Sequence, residues 1–128
     1  MRQLVTYGQP LETSIGFSRA CRVGNHVAVS GTAPIAPDGG VAAPGDMYGQ
    51  TRRCLEIIAD VLAQAGASMA HVVKTRVLVT DISRWAEAAR AHGEFFADVK
   101  PASLFAEVSR FIHPDWLVEV EAEAIIPD

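Results

Sequence analysis

The sequence predicts an α+β domain, with two amphipathic helices covering one face of a sheet. Three patterns carry this. Thr51, Cys54, Leu55, Ile58, Val61, Leu62 and Ala65 recur at helical spacing between an N-cap aspartate, Asp46, and a C′ glycine, Gly66. Trp85, Ala88, Ala89, His92, Phe95 and Phe96 form a second such stripe. In Leu117–Ile125 a period of two puts Val118, Val120, Ala122 and Ala124 on one face and Glu119, Glu121 and Glu123 on the other. Those carboxylates stand roughly 7 Å apart at about 3.3 Å per residue.

In chain order, Leu4–Tyr7 reads as a short edge strand closed by Gly8 and Pro10. Gly16–Val23 and His26–Ser30 flank Gly24-Asn25, two residues that accept positive φ, and so read as a hairpin. Gly31–Gly45, with three prolines and Asp38-Gly39-Gly40, is a long connection of the kind that often carries function. The first helix follows. His71–Val79 is β-branched, with Val73, Thr75, Val77 and Val79 on one face and Lys74 and Arg76 on the other. Asp81 or Ser83 opens the second helix and Pro101 stops it. Ser103–Ser109 and Leu117–Ile125 are two final strands joined by a turn at His113-Pro114-Asp115. The expected order is β-β-β-α-β-α-β-β.

The sheet face away from the helices should carry Lys74, Arg76, Glu107, Glu119, Glu121 and Glu123. Either it is solvated and laced with cross-strand ion pairs, or it meets other copies of the chain. Its bareness favours the second.

Composition excludes several classes. The 128 residues are enough for one domain with a real core, and 49% hydrophobic against 20% charged argues for a packed globule. The net charge is −4 with no basic run, and 7% aromatics supply no stacking platform, so a nucleic-acid partner is not expected. No apolar window is long enough to span a membrane and the N-terminal residues lack a signal-like apolar core, so the expected location is cytoplasmic. Cys21 and Cys54 form no C-x-x-C and read as small hydrophobes. His26, His71, His92 and His113 lack metal-ligand spacing; His92 reads as a satisfied half-buried histidine. Phosphate-loop, dinucleotide, nucleophile-elbow and zinc-protease motifs are missing. Glu119 lies nearest the Pro114-Asp115 turn. On patterning alone it reads as solvated, though a desolvating pocket would make it a proton carrier.

Several blocks together resemble the Rid (YjgF-type) family of imine and enamine deaminases. They are Gly24-Asn25-His26-Val27-Ala28-Val29-Ser30-Gly31-Thr32-Ala33-Pro34, Gln50-Thr51, Ala65-Gly66-Ala67-Ser68, Val72-Val73-Lys74-Thr75, Asp81-Ile82, Phe95-Phe96, Pro101-Ala102 and Leu117-Val118-Glu119-Val120-Glu121-Ala122. The resemblance spans nearly the whole chain as one Rid-like domain, residues 1–128. It implies a chorismate-mutase-like fold with a mixed sheet and two helices on one face, assembled as a homotrimeric barrel with small-molecule clefts between subunits. The charged face is then an interface. A glutamate matching Glu119 helps water attack an imine carbon, without metal or organic cofactor.

Four positions depart from the family pattern. Ser103 stands where active members carry an arginine that grips a substrate carboxylate. Phe17 replaces a tyrosine, Phe105 a cysteine and Ala89 an asparagine. Glu119 is thus the expected catalytic residue, with Ser103, Phe17, Phe105, Ser30, Gly31, Thr32, Ala89 and Arg110 at the ligand. Lys100, Arg110 and Arg19 are candidates for the missing cation. The expected activity is a Rid-type hydrolase; a metabolite-binding trimer without catalysis is the alternative. A ribonuclease role fits poorly with an acidic chain.

Overall fold

A computed structural model describes residues 2–128. Six strands form one sheet: β1 (Arg2–Val5), β2 (Ala20–Val23), β3 (His26–Thr32), β4 (Val72–Val79), β5 (Ala102–Glu107) and β6 (Val118–Ile125). The helices are α1 (Pro10–Ile15), α2 (Met47–Gln64) and α3 (Trp85–Phe96). Strand order is β1-β2-β3-β6-β4-β5. Among the described residues only β4 and β5 pair in parallel, joined by the α3 crossover; the other strand pairs are antiparallel. The sheet is mixed, as the resemblance implied.

Helices α2 and α3 cover one face. Asp46 caps α2 by accepting the Gly49 N–H at 3.0 Å. Leu55, Ile58, Val61 and Leu62 from α2 meet Val27, Val77, Val118 and Val120 from the sheet, all fully buried. Each such side chain contributes about 1.5–3 kcal/mol on leaving water. The other face stays uncovered, and there Lys74 lies opposite Glu123, Arg76 opposite Glu121 and Leu78 opposite Glu119. Arg76 bonds Glu121 at 3.0 Å and His26 approaches Glu123 at 3.4 Å, so the ion-pair lacing is real within one chain.

The structure corrects several expectations. The first strand ends at Val5 and the second begins only at Ala20; between them lies the helix α1, which periodicity over six residues could not announce. Val73 was expected with the buried set, yet the register shifts between Val72 and Lys74. That bulge sends Val72 into the core and leaves Val73 exposed. Glu107 was expected on the open face. It instead pairs in register with buried Val79, and its carboxylate accepts the Ile82 N–H at 3.0 Å. Asp81 caps a 3-10 turn, Ile82–Arg84, rather than α3 itself, and Trp85 of the second stripe is exposed.

Candidate functional site

The site grows from the segment between β1 and β2. Pro10 sits in the first turn of α1, where its missing N–H costs nothing. Glu12, three residues after the cap Gln9, turns back to accept the backbone N–H of Gln9 at 3.3 Å and of Tyr7 at 3.1 Å, and is buried in doing so. Gly16, at φ 88°, ends the helix in a left-handed conformation that favours glycine, and turns the chain into Phe17, Ser18 and Arg19.

Arg19 then reaches a distortion in β3, whose register against β6 shifts between Val29 and Thr32. Its Nη2 donates to the Gly31 carbonyl at 3.1 Å and to Thr32 Oγ1 at 2.9 Å. Thr32 Oγ1 in turn donates to the Ser30 carbonyl at 2.8 Å, and Ser30 Oγ donates to the Ser18 carbonyl at 2.6 Å. The guanidinium carbon stands 5.9 Å from the Phe17 ring centroid, within cation–π reach.

Glu119 of β6 adjoins this bulge. A methyl group at Gly31 would stand 3.1 Å from Glu119 Oε1. Leu78, not a cation, lies opposite Glu119 in β4, so its electrostatic partner comes from the other side of the strand. Burial pushes the Glu119 carboxyl above the ordinary glutamate range; Arg19 pulls it back and Glu121 adds to the rise. Burial also lowers Arg19, against the pull of Glu12, Tyr7 and Glu119. A carboxylate raised by desolvation can carry a proton, and the half-buried guanidinium beside it can hold an anion.

Ser103 and Phe105 lie elsewhere. Their register partners in β4 are Thr75 and Val77, both buried under the helices, so these side chains point to the helix side at the sheet edge. Ser103 Oγ is 2.7 Å from Thr75 Oγ1, which is 2.9 Å from His92 Nε2. Phe105 meets His92 edge-on at 5.6 Å and Trp85 at 6.5 Å. Ala89 is half-buried on α3, one turn before His92. Arg110 is exposed in the loop of residues 108–117.

One chain therefore assembles Glu119, Phe17, Ser30, Gly31 and Thr32, while Ser103, Phe105 and Ala89 form a second group across the sheet and Arg110 joins neither. Of the three candidate cations, Arg19 is the one at Glu119. Sequence reasoning missed the burial of Glu12, for which the Gln-Pro-x-Glu capping pattern was a readable signal, and the hydroxyl chain through Thr75, for which there was none. A shallow hollow on the open face, lined by Lys74, Arg76, Glu121 and Glu123, does not include Glu119.

Residues 8–126 match the protein family described as Endoribonuclease L-PSP. The chain belongs to this family, also called YjgF or Rid. Within it, a RutC family protein of Pyrococcus abyssi is 38% identical, over 97% of this chain and 98% of its own length. A Mycobacterium tuberculosis member of the YjgF/YER057c/UK114 family is 40% identical in structural superposition, with TM-score 0.89 over 98% of this chain and all of that one. Escherichia coli TdcF, solved with bound serine, superposes with TM-score 0.81 at 25% identity over 97% of this chain and 94% of its own. The shared architecture is the mixed sheet with helices on one face. Among the described residues no helix is long and apolar enough to cross a membrane, and no cluster of His, Cys, Asp or Glu has the form of a metal site.

Proposed function

We propose that this Rid-family protein hydrolyses small imines or enamines in clefts between three copies of the chain, with Glu119 activating water. The observation that carries the reading is the carboxylate of Glu119, raised by burial and set against Arg19 and Phe17. Ionised Glu119 takes a proton from water as the oxygen adds to the carbon of a protonated imine, then returns that proton to nitrogen. The C–N bond breaks as C=O forms, and the hydroxyl proton leaves with the departing ammonia as ammonium. Arg19 holds the anionic end of the ligand, taking the role vacated at Ser103; its remaining guanidinium N–H groups suit a carboxylate. Phe17 walls the cleft beside it.

A trimer gives these groups a common site. Glu119 and Ser103 face opposite sides of the sheet in one chain, so only a second copy sets a β5 edge against the Glu119 face. The uncovered face also leaves Leu4, Val23, Leu104 and Ile125 largely exposed, an apolar component beside the paired charges. A small amino acid in TdcF accords with a ligand of this size.

A second reading, a trimer that binds a metabolite without turning it over, draws on Ser103 in place of arginine. One experiment separates the two. 2-Iminopropionate is generated in situ and ammonia release is timed for wild type, Glu119→Gln and Ser103→Arg. Hydrolysis by wild type that falls at least a hundredfold in Glu119→Gln sustains the proposal. An inert wild type that gains activity as Ser103→Arg favours the binding protein. A native mass of 13.7 kDa rather than three times that value removes the shared cleft.

A further inference from the structure

We propose that Ser103, Thr75 and His92 form a proton-accepting relay whose outer end, Ser103, takes a proton from the bound ligand. The proposal rests on the hydrolase reading for its ligand and on the hydrogen-bond chain for its direction.

Thr75 sits in the middle of the helix-covered face, fully buried among Val72, Val77 and Ala122. A hydroxyl there costs stability unless both its functions are used. Both are: Ser103 Oγ lies at 2.7 Å on the sheet-edge side and His92 Nε2 at 2.9 Å on the α3 side. The chain thus runs from an exposed residue of β5 to a half-buried imidazole. Phe96 and Phe105 pack on that ring at 4.7 and 5.6 Å and fix its plane.

Thr75 has one hydroxyl proton, so the chain has two coherent polarities. In the inward one Ser103 donates to Thr75 and Thr75 donates to Nε2, leaving the outer lone pairs of Ser103 facing the cleft. In the outward one Nε2–H donates to Thr75. Delivering a proton outward from a neutral ring would leave an imidazolate, which is far too basic. Burial keeps His92 neutral, since it lowers its pKa. The inward polarity is the one assigned by this proposal: with the ring proton on Nδ1, Nε2 accepts from Thr75 and the relay is a base.

Its place in the reaction follows from proton balance. Once Glu119 has returned its proton to nitrogen, the intermediate carries one hydroxyl and one ammonium group on the same carbon. Its collapse breaks the C–N bond, forms C=O and releases the hydroxyl proton. That proton passes to Ser103 as the Ser103 proton passes to Thr75 and the Thr75 proton to His92 Nε2, giving an imidazolium. The departing ammonia takes the proton back and leaves as ammonium, which restores both ends.

Two measurements test this. Long-range 1H–15N spectra of the wild-type protein should show His92 protonated on Nδ1, with a bare Nε2 whose resonance moves in Ser103→Ala; a proton on Nε2 overturns the relay whatever the protein hydrolyses. With 2-iminopropionate, Ser103→Ala and His92→Gln should each lower kcat about tenfold with KM within twofold, and Ser103→Thr should retain the rate. Full kcat in Ser103→Ala overturns the proposal. Ser103 is exposed at the sheet edge, so its variants fold even if Thr75→Val does not. An imine-inert wild type with the Nδ1–H tautomer defeats the hydrolase reading and leaves the relay standing.

Discussion

Gly31 leaves room for the Glu119 carboxylate beside the β3–β6 ladder, where a Cβ on the glycine would stand 3.1 Å from the carboxylate oxygen. That separation is tighter than ordinary van der Waals contact, so one group must give way, and the free end of the glutamate is the softer. Gly31 is not among the positive-φ glycines, so backbone strain is not at issue. Gly31→Ala should therefore keep its melting temperature within about 3 °C while kcat/KM for an imine falls about tenfold. Thermal denaturation and steady-state kinetics on one preparation check this.

Arg19 acts on Glu119 in the opposite sense to burial. The acid limb of kcat/KM reports the free-protein pKa of the essential base. It should lie above the ordinary glutamate value, because burial raises Glu119. Replacing Arg19 by leucine removes the charge that favours the ionised form, so the limb should move to higher pH. A limb that moves to lower pH, or stays put, would detach Arg19 from the base.

The layering was legible because it rests on periods repeated over many residues. The α2 stripe and the alternation in β6 were read as they stand, since sliding either by one position would turn Leu55 or Val120 into water. What escaped was set by single local events. The bulge at Val73 is one added residue, invisible in a run where Val72 and Val73 are both valine. The α1 helix is held by the buried carboxylate of Glu12 rather than by an apolar stripe. Glu119 was found by family likeness. Choosing Arg19 over Lys100 and Arg110 needed the bulge that brings Gly31 and Thr32 to its guanidinium.

The end of α2 depends on two residues far apart in sequence. Arg22 Nη1 donates to the Ala65 carbonyl at 2.8 Å, and its Nε donates to the Gly24 carbonyl at 2.8 Å. Gly66 takes φ +85°, and a Cβ there would meet Arg22 Nη1 at 2.6 Å. Gly66→Ala should thus cost about 1–2 kcal/mol for the left-handed backbone and lose part of the cap as well. Arg22→Met alone should cost about 1 kcal/mol, the net scale of a typical hydrogen bond. Because the two changes damage the same cap, the double variant should be more stable than the separate losses predict when compared by urea denaturation.

His92 gives the fold a pH dependence whose sign is fixed by its burial. Its folded pKa lies below the ordinary histidine value of 6.5, because desolvation disfavours the imidazolium. Below about pH 6.5 the unfolded chain takes up a proton at this position that the folded chain resists, and unfolding gains free energy from that uptake. Stability attributable to His92 is present above the unfolded pKa and declines as pH falls toward the folded one. His92→Gln keeps an acceptor oxygen within reach of Thr75 but removes the titration. Wild type should therefore lose stability faster than His92→Gln between about pH 7 and 5, measured as the change in urea midpoint. Equal slopes would mean that the imidazole charges in place, with solvent reaching past Phe96 and Phe105 to hydrate it.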